Sequence, residues 1–114
     1  MKASVKEKDG VTVIYVDGHL SFENNEPLKK QLLEMLNNRR RKYRVVFNLE
    51  NLNFVGSTGI KDFVKILKDL NKIEPRPRLC GLKREFRWMF NAFQGRKKFF
   101  MFDDENKALE SFES

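Results

Sequence analysis

Two alternating spacings constrain this chain most. Ile60, Phe63, Val64, Leu67 and Leu70 recur at i, i+3, i+4, i+7 and i+10, the pattern of one helical face. On either side lie apolar runs too short for a helix, Arg44-Val45-Val46-Phe47-Asn48-Leu49 before and Arg78-Leu79-Cys80-Gly81-Leu82 after. The first of these reads as a central strand buried on both faces. Residues 11–16, β-branched and aromatic, read as a strand closed by Asp17-Gly18. Lys8-Asp9-Gly10 signals a hairpin, with a partner strand over 4–7. Leu28, Leu32, Met35 and Leu36 mark a first helix, with Asn25 as N-cap, Pro27 in the first turn and Asn37-Asn38 at the end. Residues 50–59 read as a polar loop with Phe54 and Val55 packed inward. Phe86, Met89, Phe90 and Phe93 give a third helix ending at Gly95, and 99–102 a last strand. Asp103 or Asp104 then caps a short helix that turns Ala108, Leu109 and Phe112 inward. The order β-β-α-β-α-β-α-β-α predicts an α/β fold with a largely parallel or mixed sheet and an N-terminal hairpin.

Composition narrows the class. A chain of 114 residues with 40% hydrophobic residues and 11 Phe is expected to form one domain, residues 1–114, and is unlike a disordered tail. Its longest apolar runs are too short to span a bilayer. The start lacks the pattern of a signal peptide, and a lone cysteine, Cys80, forms no internal disulfide, so the expected location is cytoplasmic. The formal charge is +7. It is uneven along the chain: residues 76–98 hold eight basic residues against Glu85, and 103–114 hold five acids against Lys107.

Enzyme signatures are missing, and no cofactor or metal is expected. The sequence has one histidine, no phosphate-binding loop, no zinc-protease motif and no nucleophile elbow. His19 reads as a turn residue with a solvated ring, Cys80 as a small core residue, and the 86–93 Phe stripe as core. The basic run Arg39-Arg40-Arg41-Lys42-Tyr43-Arg44 suits a helix C-terminus, where cations complement the dipole. No aromatic-interleaved RNA motif accompanies it, so a nucleic-acid or membrane-surface binder is the weaker reading.

One segment asks for more. Asn53-Phe54-Val55-Gly56-Ser57-Thr58-Gly59-Ile60 puts two hydroxyls where the second helix starts. Ser57 or Thr58 serves as N-cap in the plainer reading, with Asp62 favouring the first turns through the dipole and Pro75-Arg76-Pro77 ending the helix. The same geometry also suits a phosphate, because a helix N-terminus offers free N–H groups and partial positive charge.

Residues 49–70 resemble the signature of the STAS domain, the fold of anti-sigma factor antagonists. That pattern is a strand, a loop, then D-S-[ST]-G-[LI] opening a helix; here it reads Gly56-Ser57-Thr58-Gly59-Ile60. Gly18-His19-Leu20 followed by Pro27-Leu28 resembles the family's G-x-L turn and first helix. Leu79-Cys80-Gly81-Leu82 is similar to its later strand, and Asn106-Lys107-Ala108-Leu109 to its terminal helix. The resemblance implies a mixed four- to five-stranded β-sheet with α-helices packed mainly on one side.

It also implies a non-enzymatic regulator. In such antagonists the motif's first serine, Ser57 here, accepts phosphate from an anti-sigma kinase. The unphosphorylated protein binds the anti-sigma factor or GHKL-type serine kinase, and a phosphatase resets the phosphorylated one. The implied partner surface comprises Gly56, Ser57, Thr58 and Gly59, with Asn53, Lys61, Asp62 and Lys65 around them and Ser21 and Phe22 on the neighbouring turn. Two features depart from the family: Gly56 replaces the aspartate before the serine, and the charge is +7 where antagonists are often acidic. These leave open a scaffold or sensor subunit that works without phosphorylation.

Overall fold

The computed structural model describes residues 2–37, 44–72, 75–96 and 98–113, without the side chains of Phe22, Asn37 and Ser57. Strands β1 (Lys2–Lys8) and β2 (Val11–Leu20) form an antiparallel hairpin. Asp9 and Gly10 both take positive φ, 52° and 79°, as a two-residue type I′ turn requires. A short 3₁₀ turn (Phe22–Asn24) leads into α1 (Asn25–Asn37). Then follow β3 (Arg44–Asn48), β4 (Leu52–Phe54), α2 (Gly56–Leu70), β5 (Arg78–Cys80), α3 (Arg84–Phe93), β6 (Phe100–Phe102) and α4 (Glu105–Glu110).

The strands form a sheet in the order β1-β2-β3-β5-β6, with β4 beside β2. All pairings but β1–β2 are parallel. Successive crossovers step from β2 to β3 to β5 to β6, so a constant crossover hand puts α1, α2 and α3 on one face. Their apolar residues bury that face with Ile14, Val16, Phe47 and Leu79. The short α4 covers the other face, where Ala108 and Phe112 meet Val11, Val13, Val46 and Cys80. Val45, Val46 and Phe47 are fully buried, as a strand covered on both faces must be.

Asp104 caps α4 by accepting from the Lys107 N–H at 2.9 Å. Glu105, in the first turn of α4, takes hydrogen bonds from Lys8 and Asn48 and so ties that helix to β1 and β3.

Several expectations change. The expected mixed sheet is present as the five-strand path β1-β2-β3-β5-β6, and the short β4 adds a sixth strand beside β2. β2 does not end at Asp17-Gly18 but runs to Leu20, because β3 pairs only with its first half and β4 takes up the second. The chain leaves the sheet after β3, turns at Glu50-Asn51, and returns alongside Gly18–Leu20 as β4. Leu52 N–H donates to Leu49 O at 3.1 Å and Gly18 N–H to Asn51 O at 3.0 Å, closing that excursion. His19 therefore lies in a strand, with its side chain exposed, rather than in a turn. Asn25 is the first residue of α1 rather than its cap, since the 3₁₀ turn precedes it. Asn38 and the basic run 39–43 lie outside the described residues.

Candidate functional site

The carboxyl ends of the parallel strands and the N-termini of α1–α4 share one end of the molecule. At that end the start of α2 is set by close approach. A Cβ on Gly59 would stand 2.9 Å from the Leu20 carbonyl oxygen and 3.5 Å from Ser21 Cα, so only glycine lets the helix press against the end of β2. The Val55 N–H donates to the same Leu20 carbonyl at 2.8 Å. Gly56 then takes φ +77°, a left-handed conformation that glycine adopts without steric cost and that turns the chain into the helix.

Val55, not Ser57 or Thr58, is the N-cap, and it makes no side-chain capping bond. The motif's hydroxyls therefore belong to the first helical turn: Ser57 is the second residue of α2 and Thr58 the third. Gly56, Ser57 and Thr58 supply N–H groups that the helical ladder leaves without an acceptor. The first turn of α2 contains no acid, because Asp62 falls in the second turn. Its partial positive charge is not offset by a carboxylate of its own first turn.

The surroundings are firm. Ser21 N–H donates to Asn24 Oδ1 at 2.8 Å, Asn25 Nδ2 donates to Ser21 O at 3.0 Å, and Asn24 Nδ2 donates to His19 O at 2.9 Å. Ser21 is thus held against the first turn of α2, through Gly59. Asn53, half-buried on β4, pairs in register with His19 and accepts a hydrogen bond from Lys83 Nζ. Phe54 beside it packs on Phe86 at 4.9 Å between ring centroids and on Phe63 at 5.7 Å, anchoring β4 to α3 and α2.

Val55 does not pack inward with Phe54: it is 56% exposed. Gly56 and Thr58 are also exposed. Lys61 and Lys65 are exposed and Asp62 is half-buried. Asp62 and Lys65 line a groove of about 510 Å³ between α2 and the start of α1, facing Glu23, Asn25, Glu26 and Lys29. The structure thus brings Ser21, Gly56, Thr58 and Gly59 together at one corner, with Asn53 behind and Asp62 and Lys65 along one flank. The side chains of Ser57 and Phe22 lie outside the described atoms, though both backbones run through this corner.

Sequence reasoning turned Val55 inward and did not reach Lys83 or the groove wall at Glu23. Val55 follows three residues of strand and precedes a glycine, so no period marks its direction. Lys83 meets Asn53 across thirty positions, and no local spacing signals that contact.

Cys80 is almost fully buried, and its thiol is pushed up to about 12 by burial, with the charges of Glu105, Asp104 and Glu50 adding to the effect. It is a core residue with an unreactive thiol, as expected. Among the described residues no histidine, cysteine and carboxylate groups gather as a metal site, and no helix is long and apolar enough to cross a membrane.

A family model of the STAS domain matches residues 2–108, and the chain belongs to that family. BtrV of Bordetella bronchiseptica, which carries the name of an anti-sigma factor antagonist, is 28% identical over 90 residues, 79% of this chain and 76% of BtrV. The fold is similar to that of a STAS-domain protein from Planctomyces limnophilus, with a TM-score of 0.74 at 18% identity over 96% of this chain and 95% of that one. An anti-sigma factor antagonist from Mycobacterium paratuberculosis gives a TM-score of 0.72 at 19% identity, covering 99% and 94% of the two chains. The chain is therefore an anti-sigma factor antagonist-like STAS domain, from a family whose members are generally regulatory rather than catalytic.

Proposed function

We propose that this protein binds an anti-sigma factor of the GHKL serine-kinase type through the corner where α2 starts, and that phosphorylation of Ser57 releases it. The supporting observation is the placement of Ser57 in the first turn of α2, between exposed Gly56 and exposed Thr58 and beside Ser21. Ser21, Phe22, Asn53, Gly56, Ser57, Thr58, Gly59, Lys61, Asp62 and Lys65 form the contact surface, and exposed Val55 adds an apolar contact at its centre.

The switch follows from charge. Phosphorylation adds about −2 charge. In the free protein the helix N-terminus accepts it, because N–H groups and the dipole favour an anion there. Inside a contact that supplies no cation, desolvating the dianion costs several kcal/mol. Each ~1.4 kcal/mol is tenfold in affinity, so the complex is lost while the fold stays intact. A phosphatase then restores the binding form in the cytoplasm, where such kinases act.

Affinity capture from the cell of origin tests this, using the parent protein, Ser57→Ala and Ser57→Asp. The parent and Ser57→Ala recover a GHKL-type kinase, Ser57→Asp does not, and mass spectrometry finds phosphate on Ser57 of the native protein. Equal recovery by all three, with Ser57 unmodified, contradicts the reading.

Gly56 favours a second reading. The carboxylate that precedes the serine in the family pattern is missing, and with it a contact for a kinase. A scaffold or sensor subunit that works without phosphorylation then accounts for the same fold, and capture of a partner that is not a kinase would support it.

A further inference from the structure

The opposite end of the sheet carries a different feature. Arg44, Arg78 and Phe100 are the first residues of β3, β5 and β6, and register and alternation put all three on the face that α4 covers. Arg78 lies against two rings, its guanidinium carbon 4.0 Å from the Phe112 centroid and 4.8 Å from that of Phe100. Arg76 lies 4.6 Å from the Phe100 centroid, and Arg44 5.8 Å from that of Phe112.

Neutral groups hold these cations in place. Arg78 donates to Ser111 Oγ, Ser111 O and Arg76 O, and Arg76 donates to Lys98 O. Arg78 thereby keeps two of its five N–H bonds without a partner among the described residues. No carboxylate pairs with Arg44, Arg76 or Arg78 among those residues. Burial, then the charges of Arg76 and Arg44, holds the Arg78 pKa below its ordinary value. Three mutually repelling guanidiniums fixed on aromatic rings form an arrangement that an anion would relieve.

We propose that Arg44, Arg76 and Arg78 bind the phosphate backbone of a single-stranded nucleic acid at the amino end of the sheet. The guanidinium forks match phosphate, and the exposed part of Phe100, 39% of the residue, offers an aromatic contact to an unpaired base. Among the described residues no helix projects from this end for insertion into a groove, which favours a single strand over a duplex. The site is separate from the start of α2, since β3 alone spans about 13 Å between the two ends.

Fluorescence anisotropy with a labelled short oligouridylate tests the proposal on the intact protein. Three phosphate contacts give a slope of log affinity against log salt near −2, so binding weakens about fifteen-fold between about 50 and about 200 mM salt. Arg44→Gln and Arg76→Gln each flatten that slope by about 0.7, and Ser57→Ala leaves it unchanged. Arg44 is exposed and its side chain makes no hydrogen bond to a described residue, so its variant is expected to fold normally. Unchanged slopes in both arginine variants overturn the proposal. So does binding to phosphatidylserine vesicles with none to the oligonucleotide.

Discussion

Gly59 has no room for a methyl group, and its neighbour Gly56 has ample room. The Leu20 carbonyl stands 2.9 Å from where a Gly59 Cβ would be, and nothing lies within 4 Å of a Gly56 Cβ. Gly59→Ala gains about 1 kcal/mol of helix propensity. It loses about 1–3 kcal/mol to overlap with the backbone and to the shift of α2 away from β2. Its urea midpoint is therefore expected to fall, and partner binding to weaken with it. Gly56→Asn keeps a residue that tolerates positive φ, and its urea midpoint is expected to move by less than about 1 kcal/mol in stability terms. The thiol of Cys80, pushed up to about 12, makes a second prediction at this scale. It resists alkylation by iodoacetamide at pH 8 in the folded protein and reacts promptly in urea. Prompt reaction without denaturant would show that the amino half of the α4 face opens readily.

At the scale of elements, α4 is held by charge as well as by packing. Burial alone would raise the Glu105 carboxyl, but hydrogen bonds from Lys8, Tyr15 and Asn48, with the charge of Lys8, hold it below the ordinary glutamate value. A depressed folded pKa stabilises the protein above the unfolded pKa, and that contribution is lost as pH falls through the folded value. Glu105→Gln is therefore expected to lower the urea midpoint at pH 7 and to close on the parent as pH drops below about 4. On the opposite face Phe90 is fully buried among Phe54, Phe63 and Phe99. Phe90→Ala is expected to cost about 3–5 kcal/mol in urea unfolding, and a loss under ~1 kcal/mol would mean this aromatic cluster does not hold α3. The elements legible in the sequence were those with a strong apolar signal: α1, α2 and α3 repeat apolar residues at helical spacing, and β2 and β3 are β-branched runs, β3 being buried on both faces. β4 was not legible: Leu52-Asn53-Phe54 is too short to show alternation, and its partner is the far half of β2. The α2 cap was misread for a related reason. Hydroxyls usually cap helices, but here the close approach of Gly59 and the left-handed Gly56 move the start back to Val55.

At the scale of the whole molecule, carboxylates cluster at one end of the sheet and arginines at the other among the described residues. Glu50, Asp103, Asp104 and Glu105 gather where β3, β5 and β6 end, and Arg44, Arg76 and Arg78 where they begin. The sequence showed uneven charge but not this polarity, because α4 reverses direction and carries Phe112 back to the arginines. The start of α2 flanks the carboxyl end, in the family whose motif the sequence already displayed. The most direct test of the account is a calorimetric titration of the captured kinase with the protein before and after stoichiometric phosphorylation of Ser57, with circular dichroism on both forms. The expected result is unchanged circular dichroism and an affinity at least about a hundred-fold weaker, which corresponds to about 2.8 kcal/mol. Equal affinity of the two forms would contradict it.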